Sequence, residues 1–177
     1  MSMSALVRSF AIAFATVAAL SATAFALSTS AEAREIVAFN ERIAPGTIVV
    51  RTKERRLYLV LGQGRALRYT VGVGRVGQQW SGLSFIEGKY IEPAWSPPPE
   101  IRRDMPHLPD IIPGGSPRNP MGYAALTLDG GTYAIHGTND PKSIGGFVSY
   151  GCIRMHNRDV ADLYKRVGVG TPVMVTR

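Results

Sequence analysis

From residue 47 onward the apolar residues fall into short runs separated by glycine. Thr47-Ile48-Val49-Val50-Arg51 is a β-branched run, and Arg55-Arg56-Leu57-Tyr58-Leu59-Val60-Leu61 is a second. Gly62-Gln63-Gly64 reads as a turn. Between Ala66 and Val73, Leu67, Tyr69, Val71 and Val73 alternate with Ala66, Arg68, Thr70 and Gly72. Period-two alternation broken by glycine predicts antiparallel hairpins. Strand character returns over 124–128 and 132–135, with Asp129-Gly130-Gly131 as the hairpin turn. Val160, Leu163, Tyr164 and Val167 then recur at i, i+3, i+4 and i+7, one apolar face of a helix. Asn157 is the predicted N-cap, Asp159 a favourable first-turn acid and Gly168 the C′ stop. Pro172 to Thr176 predicts a closing strand. The fold class is therefore mainly β, with one or two short helices.

Residues 93–120 break the pattern, holding nine of the twelve prolines. Regular helix or central strand is not expected there. A loop this long needs a reason in a compact domain. Its Trp95, Ile101, Met105, Leu108, Ile111 and Ile112 predict that it packs on the domain as a covering loop beside a cleft.

Residues 1–33 read as an export signal. Arg8 precedes a weakly apolar stretch from Phe10 to Leu27, and Ala31-Glu32-Ala33 fits the small-residue cleavage pattern. At 18 residues the stretch is borderline for spanning a bilayer. Its alanines, with Thr16, Ser21 and Thr23, favour cleavage over a retained anchor. No cysteine lies near residue 33, so lipid attachment there is not expected. The expected organisation is a signal peptide over 1–33, an N-terminal extension over 34–45 and one catalytic domain over 46–177.

Composition narrows the chemistry. The 177 residues carry 20 Lys+Arg against 13 Asp+Glu, a net charge of +7, and 45% hydrophobic residues. That is enough apolar content for a packed core. The basic balance favours an anionic partner without selecting one. Nothing resembles a nucleic-acid-binding module. The single cysteine, Cys152, excludes an intramolecular disulfide and a Cys-rich zinc site. An unpaired thiol outside the cytoplasm is either buried as a small hydrophobe or used for its reactivity.

Residues 136–157 gather the candidate chemistry. His136-Gly137-Thr138 follows a predicted strand, Ile144-Gly145-Gly146 is glycine-rich, and Ser149-Tyr150-Gly151-Cys152-Ile153-Arg154 precedes the helix. A thiolate is the nucleophile, and a nearby base generates it. His136 suits that base, with His107 and His156 read as structural. The N–H groups of Gly151 and Cys152 suit an oxyanion hole, and Arg154 suits a carboxylate. The spacing 107/136/156 has no short ligand pair for a metal.

His136-Gly137-Thr138 with Ser149-Tyr150-Gly151-Cys152-Ile153-Arg154-Met155 resembles the signature of the L,D-transpeptidase catalytic domain (the YkuD-like family). Arg56 to Val60, Tyr69 to Gly74, Pro93 to Pro98 and Asn119-Pro120-Met121-Gly122 extend the resemblance over about residues 46–177. It implies a β-sandwich-like fold and cysteine acyl transfer on peptidoglycan tetrapeptide stems. The terminal D-Ala leaves, a thioester forms, and an amine resolves it by cross-linking or protein anchoring. Cys152 would be the nucleophile and His136 the base, oriented by the Gly137 carbonyl. Gly151 and Cys152 would line the oxyanion hole, with Ser149 and Arg154 contacting substrate or supporting the loop. No cofactor or metal is implied. The partners implied are stem peptides and, as acyl acceptor, another stem, an outer-membrane protein or lipoprotein, or a free D-amino acid, in the periplasm or cell wall. Tyr150 departs from the histidine usual before Gly-Cys. It removes an ionisable group beside the thiol and bears on substrate or acceptor preference. Water as acceptor would instead make an L,D-carboxypeptidase, and loss of catalysis a cell-wall-binding module.

Overall fold

The computed structural model describes residues 34–177; the predicted export signal lies outside them. Strands β1 (Arg34–Ala38), β2 (Ile48–Arg51), β3 (Arg56–Gly62) and β4 (Arg65–Thr70) form the first half of the sheet. The short β5 (Val73–Gly74) and the long β6 (Gly82–Ile91) follow. After helix α1 (Pro99–Asp104) come β7 (Ala124–Leu128), β8 (Ala134–His136), β9 (Phe147–Ser149) and β10 (Ile153–Arg154). Helix α2 (Asn157–Arg166) and β11 (Pro172–Thr176) close the chain. Nine strands hydrogen-bond in the order β1-β4-β3-β2-β11-β6-β7-β8-β10, and β5 pairs with β9 in a separate two-stranded sheet.

Alternation explains the layering. Leu57, Leu59, Leu67 and Tyr69 enter the main core, while Tyr58, Val60 and Ala66 enter a smaller cluster with Phe39. β2 serves both: Ile48 and Val50 face one core and Val49 the other, which is why it reads as an unbroken apolar run. The first half of β6 pairs with β11 and the second with β7, with a register shift between Ile86 and Gly88. That irregularity re-aims the sheet. Leu126, Leu128 and Ile135 from beyond it share the main core with β2–β4, giving the mainly β, sandwich-like fold. Val160, Leu163 and Val167 of α2 fill the same core.

Several local expectations are corrected. The proline-rich loop contains a helix: Pro99 occupies the first turn of α1, where a missing N–H and fixed φ cost nothing. The loop is also closed by paired Trp95–Ile112 backbone bonds of 2.9 and 2.8 Å. Asn157 lies inside α2, with His156 at the N-cap. The Asn157 amide is spent elsewhere: Oδ1 accepts from Tyr123 N and Thr138 N, and Nδ2 donates to Thr138 O, each at 3.0 Å. Gly168 is not a left-handed stop, because the helix ends at an extended Val167 and Gly168 N donates to Thr171 Oγ1. Residues 34–38, inside the region read as an extension, form an edge strand on β4.

Candidate active site

β8 and β10 run parallel, with Arg154 opposite His136. This pairing brings the two motif segments together at one sheet end. Cys152 sits immediately before β10, and His136 closes β8. Both line a groove of about 70 Å³ with Trp95, Pro98, Glu100, Ile101, Pro120, Met121, Thr132, Tyr150 and Arg154. Five of these eleven residues come from the proline-rich loop, which lies beside the groove as expected of it. His107 and His156 are not among the lining residues.

His136 is buried, and its Nδ1 lies 2.7 Å from the Gly137 carbonyl oxygen. A carbonyl only accepts, so Nδ1 carries the proton and Nε2 is left as the basic nitrogen. Burial, helped by the Arg154 charge, lowers the His136 pKa to about 4 against the carbonyls of Gly137 and Pro120. Burial pushes the Cys152 thiol up; a hydrogen bond from the Ala134 backbone and the Arg154 charge oppose this, and the Glu100 charge adds to it. Both shifts favour a neutral thiol and a neutral imidazole in the groove at neutral pH.

The loop before the thiol is tightly constrained. Ser149 Oγ donates to Cys152 O at 2.6 Å and accepts from Gly151 N at 3.1 Å. Gly151 N–H is therefore committed to Ser149, and of the expected oxyanion pair only the Cys152 N–H makes no hydrogen bond among the described residues. Gly151 has φ +123°, and an added Cβ would lie 2.3 Å from Tyr133 Cε1. Tyr133 is backed by Trp80, stacked at 4.9 Å, whose Nε1 donates to Gly151 O at 3.0 Å. Arg154 is partly buried, and its Nε has no hydrogen-bond partner. Desolvation lowers its pKa.

Tyr150 takes part in a clamp. Its Oη donates to Asp104 Oδ2 at 2.6 Å, Arg75 Nη2 pairs with the same oxygen at 3.0 Å, and the Arg75 guanidinium sits 3.8 Å over the Tyr150 ring. Both partners hold the Asp104 carboxyl below its ordinary value. The departure from histidine thus ties the cysteine loop to α1. Trp80, Tyr133, Ala134, Glu100, Arg75 and Asp104 were not marked as site residues by the sequence. Tyr133 and Ala134 lie just before His136, while Arg75, Trp80, Glu100 and Asp104 reach the site from distant elements, where no local motif signals them.

A thiol and a neutral imidazole in one covered groove, on a mainly β scaffold, form a site suited to acyl transfer. The chain belongs to the L,D-transpeptidase catalytic domain (YkuD) family, which matches residues 45–175. It is 39% identical over 137 residues to the Escherichia coli (strain K12) "Probable L,D-transpeptidase ErfK/SrfK", covering 72% of this chain and 43% of that protein. It is 38% identical over 135 residues to YbiS of the same organism, covering 71% and 43%. The chain thus spans less than half the length of these relatives. Among solved structures, the fold resembles the Enterococcus faecium L,D-transpeptidase catalytic domain acylated by ertapenem, with a TM-score of 0.55, 18% identity and coverage of 73% of this chain and 95% of that one. A Mycobacterium smegmatis L,D-transpeptidase gives a TM-score of 0.53 at 19% identity, covering 74% and 58%.

Proposed function

We propose that the protein is an exported L,D-transpeptidase that uses Cys152 as its nucleophile on peptidoglycan tetrapeptide stems. The observation that carries this reading is the shared groove of Cys152 and His136, with the imidazole fixed by the Gly137 carbonyl at 2.7 Å. Cys152 Sγ attacks the carbonyl of the third stem residue while His136 takes the thiol proton. The C–N bond to the terminal D-Ala breaks, His136 protonates the departing amine, and a thioester remains. The Cys152 N–H stabilises the oxyanion, and the Gly151 N–H joins it only by leaving Ser149. Arg154, with its unpartnered Nε, offers a donor to a substrate carboxylate. An amine then resolves the thioester. In this reading residues 1–33 are the export signal, 34–45 an extension and 46–177 the catalytic domain, working in the periplasm or cell wall. Among the described residues no helix is long and apolar enough to cross a membrane.

Intact-mass analysis of the mature chain after incubation with a tetrapeptide stem or a carbapenem tests the reading. A covalent adduct on the wild type that is absent from Cys152→Ala is expected. No adduct on the wild type, or an undiminished one on Cys152→Ala, refutes it. Incubation with purified sacculi separates the outcomes: cross-linked dimers mark the transpeptidase, tripeptides the carboxypeptidase.

A further inference from the structure

Glu100 is the only carboxylate among the residues that line the Cys152 groove. It makes no hydrogen bond or ion pair among the described residues, and its charge reaches the thiol, where it opposes thiolate formation. An acid in the first turn of α1 is favourable to a helix in itself. That accounts for the residue type at position 100, but not for a half-buried carboxylate lining the same groove as a thiol that must lose its proton. A groove serving acylation alone would be better without it. The carboxylate becomes useful once the thioester has formed, because the next reactant to enter is an amine, which is cationic at neutral pH.

We propose that Glu100 docks the acyl acceptor as its ammonium and so sets the preference of the Cys152 thioester for an amine over water. The inference rests on the cysteine acyl-transfer reading above. The thioester and an R–NH3⁺ acceptor give the amide, the free Cys152 thiol and one H⁺. The bound ammonium first loses a proton to water. Its lone pair then attacks the thioester carbon, the C–N bond forms and the C–S bond breaks. His136 takes the second nitrogen proton and returns it to Sγ. Glu100 makes and breaks no bond; it is a specificity residue for the second half of the reaction. Asp104, on the same six-residue helix as Glu100, is fixed by Tyr150 and Arg75, which anchors that helix beside the groove.

The test compares two small nucleophiles on preformed acyl-enzyme at pH 7: glycinamide, which is cationic there, and hydroxylamine, which is neutral. Wild type and Glu100→Gln are acylated with a tetrapeptide stem, and the products are resolved by mass spectrometry. Glu100→Gln is expected to lower the subsaturating rate with glycinamide by about tenfold, through a raised KM. The rates with hydroxylamine and with water are expected to stay within about twofold, since neither carries the charge that Glu100 reads. Tyr150→Phe is expected to erode the same selectivity in the same direction. An unchanged glycinamide rate in Glu100→Gln overturns the inference. An equal loss with both nucleophiles also overturns it, by showing that the substitution only disturbs α1. A wild type that never forms a thioester refutes the acyl-transfer reading itself and is recognised by the absence of any adduct.

Discussion

Replacing His136 by Gln tests the division of labour in the groove most directly. Gln keeps much of the buried volume and a polar group near the Gly137 carbonyl, but it cannot act as a base. Burial raises the Cys152 thiol above its ordinary value of 9.0, so the thiolate fraction at pH 7 is at most about 1%. Without a base only that fraction reacts. General-base catalysis is worth roughly 10² to 10⁴, so acylation by a carbapenem at pH 7 is expected to fall by at least about 100-fold. The variant should then recover about tenfold per pH unit up to pH 9, following thiolate formation. The wild type should be nearly flat over that range. Its acid limb should lie near the His136 value of about 4, well below the ordinary 6.5, because the lowered pKa keeps the imidazole in its base form throughout the interval. Time-resolved intact mass between pH 4 and 9.5 reads both profiles. Parallel wild-type and variant curves, or a wild-type acid limb at about 6.5, would refute the reasoning. The same group predicts a stability signature. A buried neutral histidine contributes stability that is complete above its unfolded value of 6.5 and is lost as pH falls through about 4. The interval corresponds to about 3 kcal/mol, and His136→Gln removes that dependence.

Asp159 carries the opposite dependence. It is buried in the first turn of α2 with neither carboxylate oxygen hydrogen-bonded and Arg158 Nε 3.7 Å from Oδ1, and desolvation, opposed by the Arg158 and Arg34 charges, raises its pKa from 3.8 to about 6. Its favourable contribution is complete below 3.8 and lost as pH rises through about 6, a difference of about 3 kcal/mol. Asp159→Asn should therefore raise Tm by several degrees at pH 8, after about 1–2 kcal/mol for the buried amide, with no gain at pH 3.5; calorimetry at both pH values decides. Gly151→Ala should abolish acylation to below about 1% of wild type, since a Cβ 2.3 Å from Tyr133 Cε1 displaces the cysteine loop. An acylation assay at pH 7, with a circular dichroism check of folding, tests this. Tyr150→Phe should leave Tm unchanged within error, since the Oη–Asp104 bond is exposed, and should alter only the choice of acceptor.

The strands that were legible in the sequence are those with apolar residues facing a core. β2, β3, β4, β7, β8 and β11 fit that description, and the glycine turns at 62–64 and 129–131 mark the β3–β4 and β7–β8 hairpins. β6, the longest strand, escaped because its alternation is inverted. Ser84, Ile86 and Gly88 point inward, while Leu83 and Phe85 remain 72% and 48% exposed. Two of its three inward positions are small or polar, so hydrophobic periodicity carries little signal there. α1 escaped because prolines suggested loop throughout, although Pro99 at a helix start favours helix. Asn157 matched the composition of a cap, but three hydrogen bonds to the His136 loop and to Tyr123 claim its side chain first.

The site divides along a similar line. Cys152, His136, Gly137, Gly151, Ser149, Tyr150 and Arg154 lie in two short segments, so a linear motif identifies them together. The structure then supplies what a motif cannot. The Gly137 carbonyl fixes which imidazole nitrogen is basic, and Ser149 occupies the N–H of Gly151 that the sequence offered to an oxyanion. Glu100 lies 52 residues before the thiol, in the stretch whose composition conceals its helix. Its helix is tied down by a clamp between Asp104 and two residues from different segments, Arg75 and Tyr150. The Tyr150 departure, read from sequence as a lost ionisable group beside the thiol, acquires a mechanical meaning. A histidine ring carries no hydroxyl to reach Asp104 in the same way, so Tyr150 links the loop that carries Cys152 to the helix that carries Glu100, the one carboxylate among the described residues lining the groove. Preference for an acceptor amine is thus expected to depend on residue 150 through the position of Glu100, with the thiol chemistry left to His136.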